Sequence, residues 1–275
     1  MDTMVAASPL PEIRSVTVKS VLSRSGISGI DYSLNPYLGC LFGCRYCYAD
    51  FVARYRGRTE PWGTFVDIKS NAPEVLRREL GRRVPGRVSL SLVTDPYQGV
   101  EREARITRRC LEALAEAPAF AVSVLTRSPL VIRDVDLFGR LPDVEVGMSV
   151  PTGDDAVRRV TEPRAPAIEA RLAALRRLKA AGVRTYAFVG PMLPMDPRDL
   201  ARRLHGAVDR VLLDRLNYSW KIRDLLRRPG WSRVLAPDWL AEVRGAFAEE
   251  LTPAGVACQY VGREAPPAGA GGGRP

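Results

Sequence analysis

Residues 35–50 read NPYLGCLFGCRYCYAD, and within these sixteen positions lie three of the chain's five cysteines, Cys40, Cys44 and Cys47, spaced C-x3-C-x2-C. Spacings this short let one loop fold its thiolates round a single centre, and Gly39 and Gly43 permit the backbone turns that such wrapping needs. Disulfides use cysteines in pairs. Structural zinc takes four close ligands, yet the only histidine, His205, sits in an expected helix, and Cys110 and Cys258 are isolated. A four-iron, four-sulfur cluster usually takes four thiolates. Three of them leave one iron open to an outside ligand, which is the reading that best explains the number.

The rest of the chain sets the frame. Its 275 residues suffice for one large α/β domain or two ordinary ones. Apolar residues at 46% and charged residues at 26% describe a soluble globular protein. The opening MDTMVAASPLPEIRSV has no signal-like apolar run, and no later stretch nears the roughly 20 apolar residues of a membrane span. A cytoplasmic protein without a membrane partner is expected. In that compartment clustered cysteines bind metal or do redox chemistry more often than they form disulfides. The formal charge of +10 weighs lightly toward a polyanionic partner. Lysine occurs only at Lys19, Lys69, Lys179 and Lys221, and the arginine-rich, Ala/Gly/Pro-rich usage resembles that of a GC-rich genome.

Apolar, β-rich runs recur at 88–93, 121–126, 144–150, 185–193 and 209–219. Between most of them lie segments such as APEVLRRELGRR, RITRRCLEALAEA and EARLAALRRLKAAG, where apolar residues return every three or four positions. Asn71 with Glu74 reads as an N-cap and capping-box pair, and Gly182 as a C-terminal helix glycine. Strand–helix alternation of this kind predicts an α/β fold with a mostly parallel sheet, barrel-like or doubly wound. Residues 1–24, without clear period, read as an N-terminal extension along the surface. Residues 25–262 read as the main domain, and 263–275 as a disordered tail.

The cysteine motif, with aromatic Tyr46 directly before its third cysteine, resembles the signature of radical S-adenosylmethionine (SAM) enzymes. The resemblance implies a partial (β/α)6 barrel of the TIM type and a [4Fe-4S] cluster held by Cys40, Cys44 and Cys47. On the open iron, SAM would be cleaved reductively to a 5′-deoxyadenosyl radical that abstracts hydrogen from a substrate. A reductant such as flavodoxin or ferredoxin, and a monomer, are expected with it.

Beyond the cysteines, DIKSNAPEVLRREL, TDPYQ, LTRSPLVIRDVDL and EPRAPAIEARLAALRRLKAAGV are similar to the group related to spore photoproduct lyase, often labelled DNA repair photolyase-like. Thr94 and Asp95 then match a Ser-Asp pair that contacts the methionine moiety. Arg127 matches a lysine there, and Ser149 a serine near the ribose. Their bland alternatives are a turn at Asp95-Pro96, a surface arginine and an ordinary strand end. Leu92 and Val93 stand where spore photoproduct lyase has a hydrogen-donating cysteine. Phe42 replaces a common histidine and Asp50 a common arginine, so repair of the spore photoproduct itself is not expected. A nucleic-acid base or nucleotide leads as substrate, with a peptide or small metabolite as rival. A non-catalytic metal-cluster module that binds nucleic acid is the alternative of another class.

Residues 217–233, NYSWKIRDLLRRPGWSR, interleave Tyr218, Trp220 and Trp231 with Lys221, Arg223, Arg227, Arg228 and Arg233. Rings beside cations suit a single-stranded nucleic-acid site. The favoured reading is plainer, an amphipathic helix after the last strand with buried tryptophans. Tyr37, Tyr46 and Tyr48 are expected to pack around the cluster rather than relay radicals. His205 is expected on a helix surface.

Overall fold

The apolar runs become strands because β-branched residues fill them and turn-forming residues bound them. A computed structural model describes residues 10–262; positions 1–9 and the tail expected at 263–275 lie outside the described residues. In chain order the strands are β1 (Glu12–Val16), β2 (Leu22–Arg24), β3 (Tyr32–Leu34), β4 (Tyr37–Leu38), β5 (Phe65–Lys69) and β6 (Arg87–Leu90). They continue with β7 (Ala121–Thr126), β8 (Val144–Ser149), β9 (Arg184–Val189), β10 (Arg210–Leu213) and β11 (Ala257–Tyr260). The helices are α1 (Asp50–Tyr55), α2 (Ala72–Leu80), α3 (Glu101–Ala104), α4 (Ile106–Ala115) and α5 (Val135–Phe138). After them come α6 (Asp155–Thr161), α7 (Ile168–Ala180), α8 (Pro197–Leu204) and α9 (Pro237–Leu251).

An eight-stranded sheet runs β11-β10-β9-β8-β7-β6-β3-β2, with all neighbours parallel except β2 against β3. Six strand–helix units build it: β3 with α2, β6 with α4, β7 with α5, β8 with α7, β9 with α8 and β10 with α9. This is the expected partial (β/α)6 barrel, open between β2 and β11, with β11 added at one edge.

Alternate residues of each strand face opposite ways. Val122, Val124, Val146, Met148, Ala187 and Val211 are fully buried in the apolar core, with Leu172, Leu175 and Leu178 of α7. The opposite, inner face is polar: Ser123, Glu145, Tyr186 and Arg210 bond across four strands, β7 to β10. Tyr186 reaches from β9 over Gly147 of β8 to the Val124 carbonyl of β7, 3.2 Å away. A Cβ at Gly147 would lie 2.3 Å from that ring, so only glycine fits. Ser149, two residues beyond Gly147, continues this inner face at the C-terminal end of β8.

Three local expectations need correction. The aperiodic N-terminal stretch is not a plain extension where described: β1 pairs in parallel with β5 in a second sheet, β1-β5-β4, and β2 joins the main one. Its partners are far off in sequence, so no local period betrayed it. Asn71 does stand at the N-terminus of α2, but its side chain makes no cap bond. Instead it accepts from the Val18 amide and donates to the Val18 carbonyl, both at 2.9 Å, while Glu74 bonds Arg109. Finally, the strand expected over 209–219 stops at Leu213, and 217–233 folds as short 3-10 turns (Ser219–Ile222, Leu225–Arg227, Trp231–Leu235) rather than an amphipathic helix. Gly182, at φ +78°, follows α7 as expected.

Candidate functional site

In barrels of this kind working groups project from the C-terminal ends of the strands. The cysteine loop follows β3 and β4 at that end. Gly39 (φ +88°) and Gly43 (φ +61°) take left-handed conformations, as the loop's wrapping requires. A side chain on Gly39 would also strike the Phe65 carbonyl at 2.4 Å. The loop is pinned from three sides. The Leu41 amide donates to Gln98 Oε1 at 2.9 Å, and the Gly39 carbonyl accepts from Thr94 Oγ1 at 2.5 Å and Gln98 Nε2 at 3.2 Å. The Arg45 amide donates to the Thr161 carbonyl at 2.8 Å.

Cys40 and Cys44 are buried and Cys47 half-buried, all three as free thiols. They lie near enough to act on one another's charge. Burial, reinforced by Asp95, pushes the Cys40 thiol up to about 12. Burial also raises Cys44, against the opposing pull of Arg127, and Cys47. A metal taken up here must therefore displace protons. Among the described residues no three Cys, His, Asp or Glu side chains converge as ligands of a single ion. Cys110 is buried in α4, and Cys258 turns toward the Phe247 carbonyl of α9, so neither joins the loop.

The other expected site residues come to the same rim in different conditions. Thr94 is spent on the Gly39 carbonyl. Asp95 is buried and accepts three bonds, from Thr126 Oγ1 (2.6 Å), the Arg127 amide (2.8 Å) and the Tyr97 amide (2.9 Å), clasping the β6 and β7 exits together. Burial raises its carboxyl in spite of those donors. Arg127 sends Nε to Glu162 Oε1 at 2.6 Å and a terminal nitrogen to the Tyr46 hydroxyl at 3.1 Å. Ser149 is wholly buried, and its hydroxyl has no hydrogen-bond partner. A buried polar atom left unpaired is rare and asks for a ligand.

Glu162 is the residue that sequence reasoning missed. It lies in the TEPRAP loop between α6 and α7, fully buried, and receives Arg127, the Tyr46 hydroxyl and, as an ion pair at 2.5 Å, Arg171. Its contact with Cys44 Sγ is 3.9 Å. Burial raises the Glu162 carboxyl, but Arg171 and Arg127 outweigh it and hold the group at about 2. Arg171, itself fully buried, also donates to the Ser149 carbonyl at 2.9 Å. One chain of charged contacts thus ties α7 and β8 to Arg127 and the cysteine loop. A glutamate beside a proline in a loop carries no period, so nothing local signalled its burial.

The three tyrosines pack as expected, with hydroxyls donated by Tyr37 to Glu101, Tyr46 to Glu162 and Tyr48 to the Leu92 carbonyl. Phe42 is buried in the core. Asp50 bonds Lys221 at 2.6 Å, joining α1 to the 217–233 segment. His205 is exposed at the end of α8.

Three free thiols thus lie in one glycine-hinged loop at the C-terminal mouth of a six-unit partial barrel. The chain belongs to the radical SAM superfamily of enzymes, whose family model matches residues 34–205, well over half its length. It is 32% identical over 183 residues to an uncharacterised protein of Methanocaldococcus jannaschii, covering 66% of this chain and 68% of that one. An uncharacterised protein of Mycobacterium tuberculosis is 33% identical over 199 residues; the match covers 67% of this chain but 58% of the relative. Among solved structures, spore photoproduct lyase complexed with dinucleoside spore photoproduct superposes with TM-score 0.67 at 14% identity, covering 90% of this chain and 81% of that one. Streptococcus suis SuiB bound to S-adenosylmethionine superposes with TM-score 0.54 at 12% identity, covering 92% and 50%. Both share its fold.

Proposed function

We propose that this enzyme binds a [4Fe-4S] cluster through Cys40, Cys44 and Cys47 and uses SAM to abstract hydrogen from a nucleic-acid base or nucleotide. The observation that carries the cofactor assignment is that one loop brings three free thiols to the rim where the unpaired Ser149 hydroxyl and Arg127 also stand. Three thiolates suit a cluster with one iron left open. When bound, the cluster would supply the electron that cleaves SAM to the hydrogen-abstracting radical. Ser149 would hold a polar group of the cofactor, and Arg127, fixed by Glu162, would present positive charge to its carboxylate. Thr94 and Asp95 act on the cofactor at one remove, by holding the cysteine loop and the backbone of Arg127. Burial of the whole group keeps water from the reacting atoms. A low-potential reductant such as flavodoxin or ferredoxin would supply the electron.

For the substrate, the support is a fold shared with a lyase that binds a dinucleoside, together with exposed Trp220 and unpaired arginines beside the mouth. Leu92 and Val93, in place of a hydrogen donor, argue for a reaction other than spore photoproduct repair. A peptide is the second reading, favoured by the fold shared with SuiB bound to its precursor peptide, at TM-score 0.52. Label transfer separates them. Oligonucleotides deuterated on the bases should pass deuterium into 5′-deoxyadenosine under anaerobic turnover. Transfer from deuterated peptides, with none from oligonucleotides, would overturn the nucleic-acid assignment.

A further inference from the structure

The 217–233 segment leaves β10 at the same end of the barrel as the cysteine loop, and its short turns divide it sharply. Ile222, Leu225, Leu226 and Val234 are buried, whereas Trp220 keeps 58% of its surface exposed. By contrast Trp239, at the start of α9, is only 4% exposed. A large ring left out beside buried neighbours is a feature of binding surfaces.

Trp220 is nevertheless held in place. Its ring meets Tyr218 edge-on at 5.1 Å, and Tyr218 stacks on Tyr48 at 5.8 Å with planes 22° apart. Tyr48 directly follows Cys47 and is fixed by its bond to the Leu92 carbonyl. Lys221, next to Trp220, anchors the turn to Asp50. A row of three rings therefore runs from the cysteine loop out to solvent.

The charge along this row is one-sided. Residues 217–233 carry five cations and one carboxylate, Asp224, which is paired with Arg45 at 2.8 Å. Arg223 and Arg227 are exposed, and among the described residues no carboxylate pairs with either. Arg228 lies over the Trp231 ring at 5.3 Å. Unpaired guanidinium groups beside an exposed, rigid aromatic face are the two elements of a single-stranded nucleic-acid site.

We propose that this rim is a rest for single-stranded nucleic acid, in which a base stacks on Trp220, Arg223 and Arg227 meet the phosphates, and the strand is led along the ring row toward the mouth above Cys47. The inference rests on the nucleic-acid reading of the substrate and deepens it by naming the form in which the strand is held. A duplex keeps its base faces covered and could use only the cations. An acidic electron-carrier protein would also be drawn by the cations, but it has no need of the Trp220 face.

The test is binding of a fluorescein-labelled oligo-dT to the full chain, read by anisotropy over a range of salt, without SAM. Trp220→Ala should weaken binding by about 5- to 150-fold, with Trp220→Phe restoring most of it and neither variant lowering Tm. Arg223→Ala with Arg227→Ala should reduce the slope of log K against log salt by about 1.4, two phosphates' worth on a single strand. Unchanged affinity in Trp220→Ala, or tighter binding of duplex than of single strand, would overturn the proposal. So would a double-arginine variant that keeps its oligonucleotide affinity but loses binding to flavodoxin, which would make the rim a reductant-docking face. Failure of the rest with deuterium transfer from bases intact refutes the rest alone, because the transfer reports the substrate independently of this rim.

Discussion

Ser149 is the residue at which the structure separates a ligand role from a structural one. Its hydroxyl is buried without a partner, so Ser149→Ala removes nothing that folding uses. We expect unchanged Tm and a loss of about 1–3 kcal/mol in SAM affinity, measured calorimetrically on cluster-loaded protein. Equal affinity in the variant would return Ser149 to an ordinary strand end. Ser91, at the exit of β6, gives a second residue-scale test. It is buried, its hydroxyl has no partner, and its φ is +69°. The left-handed conformation costs an L-residue about 1–2 kcal/mol, against about 0.5–1 kcal/mol for the extra chain entropy of glycine. Ser91→Gly should therefore raise stability by about 0.5–1 kcal/mol in denaturant unfolding, and a loss would show that the hydroxyl is engaged in the fold. Glu162→Gln runs the opposite way. It leaves fully buried Arg171 without its countercharge, and breaking such a pair costs about 3–5 kcal/mol, so a fall in Tm is expected. A variant as stable as the parent would mean that the pair is solvated.

The elements show where the sequence was legible and where it was not. The strand expected over 121–126 is β7 residue for residue, and 144–150 matches β8 to within its last position. Both set β-branched residues among small or apolar ones and are buried almost throughout, so their signal is local. The cysteine loop was equally readable, because its chemistry depends on spacing alone. What escaped depended on distant partners. β1 needs β5, 53 residues on, and Glu162 needs Arg127 and Arg171 from two other units. The 217–233 segment escaped for another reason: its apolar residues return at nearly helical spacing, yet Pro229 and Gly230 break the run and leave Trp220 outside. Asn71 tests the corrected cap. If its amide serves Val18 rather than α2, Asn71→Ala should speed hydrogen exchange at residues 12–18 and cost about 1–3 kcal/mol, while Glu74→Ala leaves both unchanged. Fraying confined to the first turn of α2 would favour the capping box instead.

At the scale of the whole molecule, six strand–helix units gather side chains from β3 through β8 at one rim and leave the inner face polar. Such barrels usually fill with bulky branched side chains. Here Ser123, Glu145, Tyr186 and Arg210 occupy the interior instead, and the site above them is closed by the Glu162 contacts rather than by apolar packing. None of the helices described is long and apolar enough to cross a membrane. The central claim is that three thiols of this one loop hold an open-iron cluster that cleaves SAM, and anaerobic reconstitution tests it most directly. Iron, sulfide and 5′-deoxyadenosine would be measured with and without reductant, in the parent and in each cysteine variant. The account predicts about four irons per chain and reductant-dependent 5′-deoxyadenosine, both lost in Cys40→Ala, Cys44→Ala and Cys47→Ala and both kept in Cys110→Ala and Cys258→Ala. A single zinc with no cleavage of SAM, or a cluster that depends on Cys110 or Cys258, would contradict it.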